Sequence, residues 1–309
     1  MLDQIGLLVL LLLVLAYSAG WVIRALVEIG RRFRISEFVL GFVVIGLATS
    51  LPELSVAINS IVNQSPGLAI GNLVGASLVL LSLIVGLAAV LQRGILLGHA
   101  LRSRDLLIGS ALIAAPIFML INGRLSLVEG WFLIILYAAY LWYLYVYRVE
   151  IALRSLGEKR IPIKSLLTGA ILGLIGLVMS AYYIVKVGTS LADTLSLPPL
   201  VIGVLILGIG TNLPEIALVL KARKASAQKL VLGDLMGSAA ANTMIMGIIG
   251  AGGSYTLAEP GVILVAGVFL FTIILLFNVF IRTKSMLSPA EGLVLLLAYL
   301  LFVGLQIFS

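Results

Sequence analysis

The chain of 309 residues contains no cysteine and a single histidine, His99. Without thiols there is no disulfide, no thiolate metal site and no cysteine nucleophile. A lone histidine in a basic connection reads as a loop residue rather than part of a proton relay. Charge is scarce as well. Only 11% of residues are charged and 62% are hydrophobic, where a soluble domain carries about 25% charged residues. No glycine-rich nucleotide loop is present: Gly208-x-Gly210 lies inside an apolar run and is no dinucleotide fingerprint. Covalent catalysis and a bound cofactor are therefore not expected. The formal charge of +7 does not indicate nucleic acid, because the basic residues fall between apolar runs.

What the chain does have is long apolar runs, each sufficient to cross a hydrocarbon core about 30 Å thick. Ten spans are expected, at about 5–29, 37–62, 66–91, 106–122, 127–147, 165–188, 197–220, 227–250, 260–281 and 288–308. The first is too long for a signal-peptide core and reads as mature structure. Alternate connections share a side of the membrane. Seventeen of the twenty lysines and arginines fall in connections on one side, and Arg124 stands alone on the other. The rule that cytoplasmic loops are rich in Lys and Arg puts the basic side in the cytoplasm and both termini outside, in a cell membrane. Trp142, Tyr143, Tyr145 and Tyr147 close the fifth span as an interfacial aromatic belt.

The longest charged connection divides the chain into residues 1–147, a cytoplasmic linker at 148–164, and residues 165–309. Five spans lie on each side of it. An odd number per half means that the halves insert with opposite orientation, the inverted-repeat architecture of many transporters. The fold class is thus an all-α polytopic membrane protein, with ten helices in two inverted five-helix repeats.

The repeat is visible in the residues. Thr49-Ser50-Leu51-Pro52-Glu53 recurs as Thr211-Asn212-Leu213-Pro214-Glu215, and Gly71-x-x-x-Gly75 recurs as Gly233-x-x-x-Gly237, all at an offset of 162. Ser18, Arg24, Val39 and Gly41 match Ser180, Lys186, Val201 and Gly203 at the same offset. A proline inside an apolar span removes a backbone hydrogen bond and displaces the carbonyl four residues back. Pro52 so frees carbonyls near Ala48 and Gly46, and Pro214 those near Gly210 and Gly208. Backbone oxygens freed at membrane depth persist only where something else satisfies them. Thr49, Ser50, Thr211 and Asn212 add side-chain oxygens, and Glu53 and Glu215 add two negative charges. Hard cations favour an all-oxygen shell of this kind, and ionisable residues at membrane depth mark functional sites. In the eighth span Ser238 and Asn242 share a helix face with Asp234 one turn earlier, and can face the same site.

At these residues the sequence resembles the calcium/cation antiporter superfamily, and within it the prokaryotic sodium/calcium exchangers. The resemblance covers nearly the whole chain and rests on two copies of a Gly-Thr-Ser-x-Pro-Glu motif, each followed by Gly-Asn-x-x-Gly-Ser. It implies ten helices, with spans two, three, seven and eight around a central site, and alternating access by sliding of spans one and six. It implies Ca²⁺ ligation by Glu53 and Glu215 with the carbonyls of Thr49 and Thr211. It implies Na⁺ ligation by the same glutamates, Ser50, Ser238 and the carbonyls of Gly46 and Gly208. The chain departs from the pattern at Ala48, Ala76, Leu80, Asn212, Asp234 and Asn242. Ala76 and Leu80 offer no side-chain oxygen where the family has polar residues.

The expected function is exchange of Ca²⁺ for Na⁺ across the bilayer by a monomer. An antiporter of the same fold coupled to H⁺ or another monovalent ion, or carrying a different divalent cation, is the alternative. A passive channel or a non-transporting scaffold is a third reading.

Overall fold

The computed structural model describes residues 2–32, 49–96, 103–146, 162–221, 225–284 and 286–308. In chain order, α1 is Leu2–Arg32 and α2 is Leu51–Val62. α3 is Pro66–Leu78, and it passes through a π-helical turn at Val79–Ile84 into α4, Val85–Leu91. α5 is Ser103–Leu120, α6 is Leu127–Val146 and α7 is Ile163–Leu195. α8, Pro199–Ile202, passes through a second π-helical turn at Gly203–Leu207 into α9, Gly208–Gly210. α10 is Leu213–Lys221, α11 is Ala225–Gly252, α12 is Pro260–Lys284 and α13 is Pro289–Phe308.

Eight helices among the described residues are long and apolar enough to cross a membrane, and two shorter apolar helices, Leu51–Val62 and Leu106–Leu120, fall on the remaining expected spans. This is an all-helical polytopic membrane fold. Its outer surface carries leucine, isoleucine and valine, among them Leu10, Leu13, Ile135, Ile171 and Leu300, as lipid-facing helices should. The first half of the expected second span, much of the 148–164 linker and His99 lie outside the described residues.

Two hydrophobic clusters hold the helices together. One joins α1 to α7 through Leu8, Leu12, Leu15, Ala19, Leu177, Ile184 and Leu191. At 31 and 33 residues these two helices rise roughly 45–50 Å each, more than the hydrocarbon thickness, and so extend past the expected spans. The other cluster gathers α3 to α6 with α11 to α13.

Between them runs a seam of glycine. A Cβ on Gly71 would overlap the carbonyl of Leu200, and one on Gly75 the carbonyl of Val204. In return a Cβ on Gly208 would lie 2.7 Å from the Gly75 carbonyl carbon. No side chain separates α3 from the α8–α9 segment at these points, so the backbones touch. Small residues are what permit such an approach in lipid.

Further features recur at the offset of 162. Ser126 and Glu129 form a capping box at the start of α6: the Ser126 backbone N–H and hydroxyl each donate to Glu129 Oε2 at 2.7 Å. Ser288 and Glu291 do the same for α13, at 2.7 and 2.8 Å. This reciprocal cap satisfies N–H groups that the first helical turn leaves open. Two antiparallel ribbons of two residues per strand close the loops. β1 (Ile95–Leu96) pairs with β4 (Met286–Leu287), and β2 (Arg124–Leu125) with β3 (Tyr255–Thr256). Inside α5, Pro116 takes the donor away from the Leu112 carbonyl. Thr243 of α11 supplies a replacement, its hydroxyl donating to Leu112 O at 3.0 Å.

Candidate cation site

Both Thr-x-Leu-Pro-Glu segments are helix breaks. Thr49 and Ser50 precede α2, and Pro52 occupies its first turn, where a missing N–H costs nothing. Thr211 and Asn212 form the turn between α9 and α10, and Pro214 is the second residue of α10. Each proline therefore starts a helix rather than kinking one. Glu53 and Glu215 fall in the first turns of α2 and α10, and each is only 2% exposed. At the second break the ladder tightens: the Thr211 N–H reaches Leu207 O at 2.8 Å, while the Asn212 N–H reaches only three residues back, to Ile209 O at 3.2 Å.

Side chains from the two ends of the chain meet here. The hydroxyls of Thr49 and Ser238 are 2.9 Å apart. The Thr211 hydroxyl lies near the Glu53 carboxyl, 3.1 Å from Leu207 O and 3.3 Å from Asn72 Oδ1 of α3. Asn212 turns its amide back to the Gly208 carbonyl, with Nδ2 donating at 2.7 Å. Asn242 donates from Nδ2 to Ser77 Oγ of α3 at 3.2 Å, and Ser77 in turn donates to Leu73 O at 3.0 Å. Ser50, Thr49, Thr211, Asn212, Ser238 and Asn242 are all buried.

Several oxygens remain over. Glu53 Oε2, Asn212 Oδ1 and Asn242 Oδ1 are buried and have no hydrogen-bond partner among the described residues. A buried acceptor without a donor costs about 1–3 kcal/mol. Glu53 Oε2 and Asn212 Oδ1, at the two helix breaks, offer lone pairs of the kind a hard cation takes. Asn242 Oδ1 lies on α11 beside Ser77 of α3, and Asn72 Nδ2 is a buried donor likewise without a partner among the described residues. No cluster of three or more His, Asp or Glu side chains exists among the described residues.

Of the expected site residues, Gly46 lies outside the described residues, and for Asp234 only the α11 backbone is described. Two participants were not singled out from the sequence. Asn72, fully buried, offers Oδ1 to the Thr211 hydroxyl, and Ser77 accepts from Asn242. The signal for Asn72 was available, since it is the first-half counterpart of Asp234 at the common offset. Ser77 follows Ala76, and nothing in its neighbours marks it.

Comparison with known proteins gives the family. The chain is 31% identical over 235 residues to an uncharacterized membrane protein of Methanocaldococcus jannaschii, covering 76% of each. It is 27% identical over 347 residues to the sodium/calcium exchanger MaX1 of Methanosarcina acetivorans, covering 94% of this chain and 95% of that one. Its structure is similar to that of the sodium-calcium exchanger NCX_Mj soaked in Na⁺ and Sr²⁺, with a TM-score of 0.66, 25% identity and 98% of both chains covered. The profile described as sodium/calcium exchanger protein matches residues 4–146 and 165–308, so the chain belongs to the sodium/calcium exchanger family, a family of membrane antiporters.

Proposed function

We propose that the chain exchanges Ca²⁺ for Na⁺ by alternating access, with Glu53 and Glu215 as the charged ligands of one central site. The carrying observation is that Glu53 Oε2 and Asn212 Oδ1, at the two helix breaks, are buried oxygens that lack a donor among the described residues, as does Asn242 Oδ1 on α11. Thr49, Ser50, Thr211 and Ser238 complete the shell, together with the carbonyls of Gly46 and Gly208; Asp234 stands one turn from Ser238. The names of MaX1 and NCX_Mj, both sodium/calcium exchangers, support the same ions.

The halves, residues 1–147 and 165–309, are inverted repeats joined by the 148–164 linker. The recurring capping boxes, and ribbons that pair β1 with β4 and β2 with β3, support this, because an offset of 162 carries one ribbon approximately onto the other. The termini face outward and the basic loops face the cytoplasm. One copy of the chain supplies every ligand, so the working unit is a monomer.

A second coupling ion is favoured by a specific observation. Ala76 and Leu80 bring no oxygen, and Asn212 spends its amide donor on Gly208 O. Exchange against H⁺ or another monovalent ion on the same two glutamates is the reading to adopt if Na⁺ does not drive transport. Reconstituted protein, loaded with Na⁺ or with acid and diluted into ⁴⁵Ca²⁺, distinguishes them. Uptake driven by a Na⁺ gradient supports the first reading, uptake driven by a pH gradient alone supports the second, and uptake without any counter-gradient overturns both.

A further inference from the structure

The α1/α7 pair is built differently at its two ends. Near the N-terminus of α1 the helices are tied directly: Gln4 Nε2 donates to Ser190 Oγ at 2.9 Å, and the Thr194 hydroxyl donates to Gln4 Oε1 at 3.4 Å. They approach closely at Ser18, where a Cβ on Gly173 would lie 2.8 Å from the Ser18 carbonyl oxygen. Beyond that crossing lies an open crevice of about 610 Å³, lined by Trp21, Arg24, Lys164, Ser165, Thr168 and Gly169 among others.

Two cations from different helices thus line one crevice. Neither the Arg24 guanidinium nor the Lys164 ammonium makes a hydrogen bond or ion pair among the described residues. Both side chains are exposed, and together they make the mouth of the crevice cationic. Lys164 is the second residue of α7, at the start of the expected sixth span. The crevice therefore opens at the membrane–water boundary, with Trp21 as an interfacial ring. Leucine and isoleucine continue from it along the lipid face, where Ile171 and Leu172 are exposed.

We infer that this crevice binds the phosphate headgroup of an anionic phospholipid, with Arg24 and Lys164 as its two cationic contacts and an acyl chain lying over Ile171 and Leu172. Basic pockets between transmembrane helices at the interface are suited to such headgroups. A free phosphate would satisfy the charges but leave the apolar continuation of the crevice unused. The bound headgroup fastens α1 to α7 at the end where no direct hydrogen bond among the described residues does so. The site does not depend on which ions the chain exchanges.

The test is native mass spectrometry of the purified full-length chain, with dioleoyl phosphatidylglycerol competed against dioleoyl phosphatidylcholine. Two basic contacts at a membrane surface correspond to a preference of roughly thirty-fold for the anionic lipid. The double variant Arg24→Gln/Lys164→Gln should lose that preference, and Lys186→Gln, at the other end of the pair, should keep it. Gly169→Leu retains both charges but fills the crevice, since nothing lies within 4 Å of a Cβ there; it should lose the preference too. An undiminished preference in either crevice variant overturns the inference. So does thermal protection by inorganic phosphate equal to that by phosphatidylglycerol, which would make the crevice a free-anion site.

Discussion

The hydroxyls of Thr49 and Ser238 stand 2.9 Å apart although 189 residues separate them in the chain. One belongs to the break before α2, the other to the middle of α11. Their contact joins a first-half residue to a second-half helix.

Glu53→Gln and Glu215→Gln should each abolish Ca²⁺ transport while leaving a folded protein. Removing one partner of a buried ionic arrangement costs about 3–5 kcal/mol, enough to reduce occupancy by two or more orders of magnitude. The measurement is ⁴⁵Ca²⁺ uptake beside Ca²⁺-dependent thermal stabilisation in detergent. Near-normal flux in either variant would falsify the assignment of the central site.

Asn72→Ala should weaken Ca²⁺ binding without touching either glutamate. Thr211 loses one acceptor but keeps the Leu207 carbonyl at 3.1 Å, so the loss is that of one hydrogen bond, about 0.5–1.5 kcal/mol, or roughly a 2- to 10-fold change in affinity. Isothermal titration with Ca²⁺ reads this directly. An unchanged affinity would remove Asn72 from the site and leave it a packing residue.

Gly75→Ala should lower the thermal midpoint, and Gly20→Ala should not. The first places a methyl group into the Val204 backbone, while the second meets nothing within 4 Å. Overpacking costs about 1–3 kcal/mol, and an unobstructed glycine replaced in a helix gains about 0.5–1 kcal/mol. Equal midpoints for the two variants would mean that the glycine seam is looser than the backbone contacts imply.

Single cysteines at Ser65 and Ser190 should react with impermeant maleimide from outside, and one at Ser155 only from inside. The chain has no cysteine of its own, so each label reports one position. The reverse pattern would invert the proposed orientation.

Coupling should be close to electroneutral. Two carboxylates are balanced by one Ca²⁺ or by two monovalent ions, and Ala76 and Leu80 supply no oxygen for a third. A charge crossing the membrane potential gains about 2.3 kcal/mol per 100 mV. Ca²⁺ flux in vesicles clamped with K⁺ and valinomycin should respond weakly to voltage. A strong response with a Na⁺ Hill coefficient near three would show that backbone oxygens replace the missing side chains.

Much of this was legible in the residues because the two Pro-Glu segments sit in apolar runs, where each polar group needs a reason. The spans, the paired breaks and the glycine stripe all derive from hydropathy and from what proline and glycine do to a backbone. The parts that were not legible depend on rotation about a helix axis. Whether Asn72 faces Thr211 is set by the contact of Gly71 with Leu200, which a single helix does not encode. The π-helical turns at Val79–Ile84 and Gly203–Leu207 are also silent in sequence. Each admits an extra residue into a turn and so re-aims the helix beyond it, and the second ends where Gly208 begins. The lengths of α1 and α7 were underestimated because charged and small polar residues at their ends, such as Asp3, Arg31, Lys164 and Asp193, read as loop.

The glycine seam has a consequence for how the molecule should be regarded. Its two faces, α3 and the α8–α9 segment, come from opposite sides of the 148–164 linker, and each is shaped to receive the other's backbone. The polypeptide is in this sense its own partner: a contact that other proteins form between subunits is made here between two stretches of one chain. Tethering raises the effective concentration of one face for the other to about the millimolar range or above. The seam therefore needs no large affinity of its own to stay closed, only a shape that admits no side chain between its faces.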